Sequence, residues 1–157
     1  MSERPTHAEA SLAPPPDAIM PRAHAAVDPD ELVRKLRPHL ESRPEIGFAY
    51  LHGSAEAGLP FRDVDVAIQL GASLADNLDS LEYESELAAD LTLEIGVPVD
   101  VHVLADASIG FQHSVLQGRL IMARDDIALA DYRERVVTEY CSFAWLGRAY
   151  LRELLLP

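Results

Sequence analysis

Between residues 63 and 70 the chain reads DVDVAIQL, and this alternation limits the fold more than any other feature. Successive side chains of a strand leave opposite faces, so Val64, Val66 and Ile68 point one way while Asp63 and Asp65 point the other. The segment VDVHVL at 99–104 repeats the arrangement. There Val99, Val101 and Val103 share one face, and Asp100 and His102 share the other. A third short apolar segment, IGFAYLH at 46–52, ends at Gly53-Ser54 and reads as the strand before DVDVAIQL.

Between these strands the period changes from two to about 3.6. Pro29 suits a first helical turn, and Leu32, Val33, Leu36 and Leu40 recur at helical spacing until Pro44. Residues 77–96 carry Leu78, Leu81, Tyr83, Leu87, Leu91 and Ile95 on or near one face, closed by Gly96 and Pro98. Ser108 can cap a helix bearing Phe111, Val115 and Leu116 that ends near Gly118. Residues 120–122 suit a short fourth strand, and the series from Ile127 through Tyr140 to Leu154 predicts one long or broken terminal helix. The expected architecture is α/β (α+β), a small mixed sheet covered by helices. Residues 1–27 are rich in proline and alanine without an apolar period and are expected to form a flexible tail, with the domain spanning 28–157.

Two acids on one strand face carry the chemistry. Unit charges ~4 Å apart repel by ~4 kcal/mol at an effective dielectric near 20, so such a pair calls for a counterion, proton sharing or wide spacing. A divalent cation meets that need, and Asp100 joins the cluster if its strand pairs beside the first. Oxygen ligands of this kind suit Mg2+ or Mn2+, which typically keep several waters and bind through one or two carboxylates plus substrate phosphates. Gly53 permits close backbone approach and Ser54 adds a hydroxyl at what reads as the start of a short helix, where a phosphate is favoured. A Gly-Ser pair alone is an ordinary turn, and a DxD pair alone can be a solvated strand edge. Their order along one chain is what makes the combination informative. His52 and His102, at strand ends, are read as hydrogen-bonded structural residues, and Glu82, Glu84 and Glu86 as a solvated helix face.

YLHGSAEAG at 50–58, RDVDVA at 62–67 and PVDVH at 98–102 together resemble the GS…DxD…D signature of minimal nucleotidyltransferases. The likeness spans roughly residues 29–156 and includes the Gly118-Arg-Leu-Ile segment and the Tyr140-bearing final helix, as in the antitoxin halves of HEPN/MNT toxin–antitoxin pairs. It implies a polymerase-β-like nucleotidyltransferase fold, ATP as substrate, two Mg2+ ions, and transfer of AMP to a tyrosine of a cognate HEPN ribonuclease toxin. Asp63, Asp65 and Asp100 take the catalytic and metal-binding roles, and Gly53 and Ser54 hold the nucleotide. Eight residues separate Ser54 from Asp63, a loop shorter than usual in the family, and Arg62 stands where serine is frequent. Two other functions remain open: a non-catalytic antitoxin that occludes its partner, and a nucleotidyltransferase acting on a small molecule of the aminoglycoside kind.

Charge bears on partners. Thirteen Lys and Arg stand against 26 Asp and Glu, for a net charge of −13, which opposes binding of a long nucleic acid, since that affinity comes from basic residues displacing counterions. A basic protein partner is compatible with it. One cysteine, Cys141, excludes an intrachain disulfide. With no basic-then-apolar leader and no run of ~18 apolar residues, no membrane association and a cytoplasmic location are expected.

Overall fold

The computed structural model describes residues 23–71 and 79–155. In chain order the elements are α1 (Pro29–Glu41), β1 (Ile46–His52), α2 (Gly53–Glu56), β2 (Val64–Leu70), α3 (Ser80–Ile95), β3 (Val99–Val103), a 3-10 turn (Leu104–Asp106), α4 (Ile109–Val115), β4 (Arg119–Ala123) and α5 (Asp126–Leu155). The four strands form one mixed sheet in the order β3-β2-β1-β4. β1 runs antiparallel to both β2 and β4, and β2 and β3 are parallel. The parallel pair needs a crossover, and α3 supplies it.

Each helix starts and stops for a local reason. Asp28 caps α1 by accepting from the Asp30 amide at 3.0 Å, with Pro29 in the first turn. Asp79 caps α3 by accepting from the Leu81 and Glu82 amides, and Gly96 ends it in the left-handed region at φ 76°. Ser108 caps α4. Asp125 accepts from the amides of Ile127 and Ala128 at the head of α5. The sequence places Leu78 and residue 77 in α3, and those positions lie outside the described residues. Leu81, expected on its apolar face, is 71% exposed in the first turn of the helix.

Strand alternation sorts the side chains into two layers. Val64, Val66 and Ile68 of β2 and Val99, Val101 and Val103 of β3 join Leu32, Leu36 and Leu40 of α1 and Leu87 and Leu91 of α3 in one buried cluster. Complete burial of a Leu or Val contributes about 1.5–3 kcal/mol each, so this sealed layer supplies most of the apolar stabilisation. Glu84 fastens α3 to β3 by accepting from the Val103 amide at 2.6 Å. Arg124 donates to the carbonyls of Glu41, Arg43 and Ile46, closing the end of α1 against the sheet.

The opposite layer is smaller and contains Phe48, Tyr50, Ala67, Leu104, Val115 and Leu129. Here α5 crosses the sheet. Arg133 donates to the Tyr50 hydroxyl, while Tyr132 and Arg135 donate to Oε1 of the buried Gln112, whose amide nitrogen donates to the Ala107 carbonyl. α5 is continuous, 30 residues and so about 45 Å long. Its stripe of Leu129, Tyr132 and Val136 packs on the domain, and Tyr140 stacks on His113 with centroids 3.8 Å apart. Beyond that point the same stripe carries Phe143, Leu146 and Tyr150, all more than half exposed.

Residues just ahead of Asp28 also make contacts. His24 pairs with Phe61 through two backbone hydrogen bonds and a stacked ring at 5.5 Å, and Val27 packs on the sealed core. Phe61 thus receives His24 with both its backbone and its ring. Residues 1–22 lie outside the described residues. No helix among the described residues is long and apolar enough to cross a membrane.

Candidate nucleotidyl-transfer site

The parallel register places Asp65 beside Asp100, and the antiparallel register places His52 on the other side of Asp65. Three polar residues thus form one row across β1, β2 and β3. All three project into the smaller layer, at the end that α4 and α5 leave uncovered. One step along β3, His102 joins them, with Nε2 3.4 Å from Asp100 Oδ2. Ligand atoms of Asp65, Asp100 and His102 all lie within 4.8 Å of one another.

Asp63 stands differently from the sequence expectation. The strand begins at Val64, and Asp63 occupies the exposed bend before it, because the chain has only just turned out of the Gly58–Arg62 loop. Its charge still reaches the row. The Asp65 carboxyl is raised above its ordinary range by burial, then by the charges of Asp63 and Asp100, against an opposing effect of His102. Among the described residues none of the three acids forms an ion pair with Lys or Arg.

Gly53 meets this row from the end of β1. Its φ is 75°, a conformation that costs L-residues about 1–2 kcal/mol, and a Cβ there would overlap the Asp65 carboxylate. Glycine is required on both counts. Ser54 follows in the single turn of α2. A divalent cation fits these residues: the donors are carboxylates and an imidazole at coordination spacing, their negative charge is uncompensated, and the backbone at Gly53 approaches without a side chain between.

His52 and His102 are the residues that sequence reasoning set aside. His52 packs edge-on against Phe111 at 5.4 Å, and its Nε2 is buried without a hydrogen-bond partner among the described residues. Burial, then the neighbouring His102, lowers its pKa to about 4 despite the opposing charge of Asp100, so the ring is neutral at physiological pH. The alternation of VDVHVL already put His102 on the Asp100 face. What the sequence lacked was the position of Phe111, whose ring fixes both imidazoles. Glu84, read as part of a solvated helix face, instead holds the Val103 amide next to this site.

The family model described as polymerase beta, nucleotidyltransferase matches residues 34–127, a span that includes Gly53, Ser54 and all three aspartates. Several solved structures share the fold. A toxin–antitoxin structure with AMP-PNP aligns at TM-score 0.60 and 22% identity, covering 82% of this chain and 99% of that one. A tri-AMPylated Shewanella oneidensis HEPN toxin in complex with MNT antitoxin aligns at TM-score 0.57 and 21% identity, covering 81% and 95%. The toxin–antitoxin MntA–HepT aligns at TM-score 0.56 and 20% identity, covering 81% and 96%. No curated protein sequence matches the chain.

Proposed function

Because the chain belongs to the polymerase beta nucleotidyltransferase family, we propose that it is a metal-dependent adenylyltransferase that moves AMP from ATP to a tyrosine of a cognate HEPN ribonuclease toxin, acting as its antitoxin. The observation that carries this reading is the side-by-side placement of Asp65 and Asp100 on adjacent parallel strands, with the Gly53 backbone against the Asp65 carboxylate. The tri-AMPylated HEPN toxin bound to the MNT antitoxin in one structural neighbour supports the acceptor class, and the AMP-PNP in another supports the donor.

In this mechanism Asp63, Asp65 and Asp100 hold Mg2+ or Mn2+, which when bound neutralises charge developing on the triphosphate. Gly53 and Ser54 receive a phosphate oxygen, the first by leaving the backbone amide accessible and the second through its hydroxyl. The acceptor oxygen attacks the α-phosphorus, the bond to the bridging oxygen breaks, and pyrophosphate leaves with that electron pair. Asp100, exposed at the edge of the row, takes the acceptor's proton. The rings of His52, Phe111 and His102 line one side of the site.

The apolar end of α5 favours a second reading, in which the chain silences a partner by docking alone. Phe143, Leu146 and Tyr150 continue a core stripe past the edge of the domain, and contiguous exposed apolar surface of this kind marks protein interaction sites. Labelled ATP, magnesium and a HEPN-type protein encoded beside this chain distinguish the two. Label transferred to a tyrosine of that protein, and lost in an Asp63→Ala/Asp65→Ala/Asp100→Ala form, is the expected result. Full inhibition by the triple variant without any label transferred would favour occlusion, and label on an aminoglycoside instead would favour the small-molecule reading.

A further inference from the structure

Asp100 and His102 are two residues apart on β3 and leave the sheet on the same face. The His102 ring packs against two neighbouring rings. Phe111 packs edge-on against it with centroids 5.4 Å apart and an interplanar angle of 77°, and the His52 ring lies at 6.1 Å. Its register partner on β2 is Ala67, whose methyl leaves room for the ring to turn toward Asp100. So placed, Nε2 faces Asp100 Oδ2 at 3.4 Å, and the Asp65 oxygen completes a set within 4.8 Å. Donors bound at about 2.1 Å on one cation stand about 3.0 Å apart when adjacent and about 4.2 Å apart when opposite. The 3.4 Å spacing lies between those values, and the 4.8 Å limit exceeds the larger by about 0.6 Å, within the reach of side-chain rotation.

On the metal-dependent reading proposed above, we propose that His102 Nε2 is a direct ligand of the ion held by Asp65 and Asp100, and that this ion is a first-row transition-metal dication in preference to Mg2+. Carboxylates discriminate little between Mg2+ and Mn2+, since both accept oxygen donors. A ring nitrogen does discriminate. Mg2+ demands oxygen ligands and dehydrates reluctantly, whereas imidazole suits the transition ions, with Zn2+ above Mn2+ in affinity. The tight packing of the ring against Phe111 adds to this, because an imidazole already oriented loses little freedom on binding.

The test uses the full chain without nucleotide. MnCl2 and MgCl2 are titrated by calorimetry, and free Mn2+ is counted by electron paramagnetic resonance, in wild type, His102→Phe and Asp65→Asn. The phenylalanine keeps a ring against Phe111 while removing the nitrogen. Mn2+ should bind the wild type at least about tenfold more tightly than Mg2+, and His102→Phe should lose that margin while keeping its Mg2+ affinity. In 15N-histidine-labelled wild type, Zn2+ should shift one Nε2 resonance, that of His102, which supplies a readout independent of any variant's folding. Unchanged Mn2+ affinity in His102→Phe, with both ions lost in Asp65→Asn, would overturn the role of His102 and leave the carboxylate reading intact. Equal losses of Mn2+ and Mg2+ in His102→Phe would overturn it too, by making the ring a positioning group. Undiminished binding in Asp65→Asn would overturn both readings.

Discussion

The two faces of the central sheet are made from the same strands and do opposite work. On the face beneath α1 and α3, Val64, Val66, Ile68, Val99, Val101 and Val103 are sealed among aliphatic side chains. On the other face, one residue along in each strand, Asp65, Asp100 and His102 stand together, touched by α4 only through Phe111 among the described residues. A one-residue slip in register would exchange the two sets. Stability and chemistry are thus separated by the pleat, and substitutions on the two faces should affect different observables.

The largest effects should come from exchanging those observables. Asp63→Ala or Asp65→Ala should abolish AMP transfer while leaving the metal-free protein as stable as wild type or more so, because each removes one charge from a repelling cluster. Leu36→Ala and Leu87→Ala, both at completely buried positions, should cost about 2–5 kcal/mol and leave the folded fraction active. Thermal melts paired with transfer assays check this. Marked destabilisation of the aspartate variants would mean that their role is structural.

Gly53 lies between the two categories and sharpens the comparison. Gly53→Ala and Gly58→Ala each place a Cβ at positive φ, 75° and 67° respectively, costing about 1–2 kcal/mol of backbone strain. Among the described residues nothing lies within 4 Å of the Gly58 Cβ position, whereas that of Gly53 collides with Asp65. The Gly53 variant should therefore lose both stability and activity, and the Gly58 variant stability alone. Equal activity in the two would remove Gly53 from the nucleotide site.

Acid should probe the open face selectively. His52 is neutral in the native state down to about 4, from an ordinary value of 6.5, so the unfolded chain binds its proton first. Its contribution is complete above pH 6.5 and is lost as pH falls toward 4. Asp65 has the opposite sign: its raised carboxyl takes a proton earlier in the native state, which relieves the cluster as pH falls. His52→Gln should therefore make the protein less acid-sensitive in that window, by on the order of 1 kcal/mol after solvent screening. Denaturant melts at pH 7 and pH 5 measure it, and an unchanged pH slope would contradict the burial of that imidazole. The smallest effect expected is His24→Ala, about 0.5–1 kcal/mol from the loss of one stacked ring.

Much of this was legible in the residues because strand alternation is a local property. DVDVAIQL and VDVHVL defined the faces, and Pro29, Ser108 and Gly96 marked helix ends through chemistry that needs no partner. Contacts distant in sequence were not legible. That Asp63 would sit in a bend, that His24 would pair with Phe61, and that Phe111 of α4 would press on His52 and His102 all depend on tertiary packing. His102 was visible on the Asp100 face, yet an imidazole at a strand end looks structural until the ring that orients it is known. The unbroken length of α5 past Tyr140 was likewise open, since Phe143 and Leu146 continue a core period with no core beneath them.

The central claim is that the open face is a metal–nucleotide site built on Asp63, Asp65 and Asp100, and linkage between the two ligands tests it most directly. A ligand that binds only the folded state stabilises by RT ln(1 + [L]/Kd), about 2.7 kcal/mol at a hundredfold excess over Kd. Melting temperatures are measured with EDTA, with the divalent ion, with ATP, and with both, in wild type and in Asp65→Asn. The account predicts that the joint shift in wild type exceeds the sum of the separate shifts and that this excess nearly vanishes in Asp65→Asn, whose amide keeps the size but not the charge. Strictly additive shifts in wild type, or an undiminished excess in the variant, would contradict it.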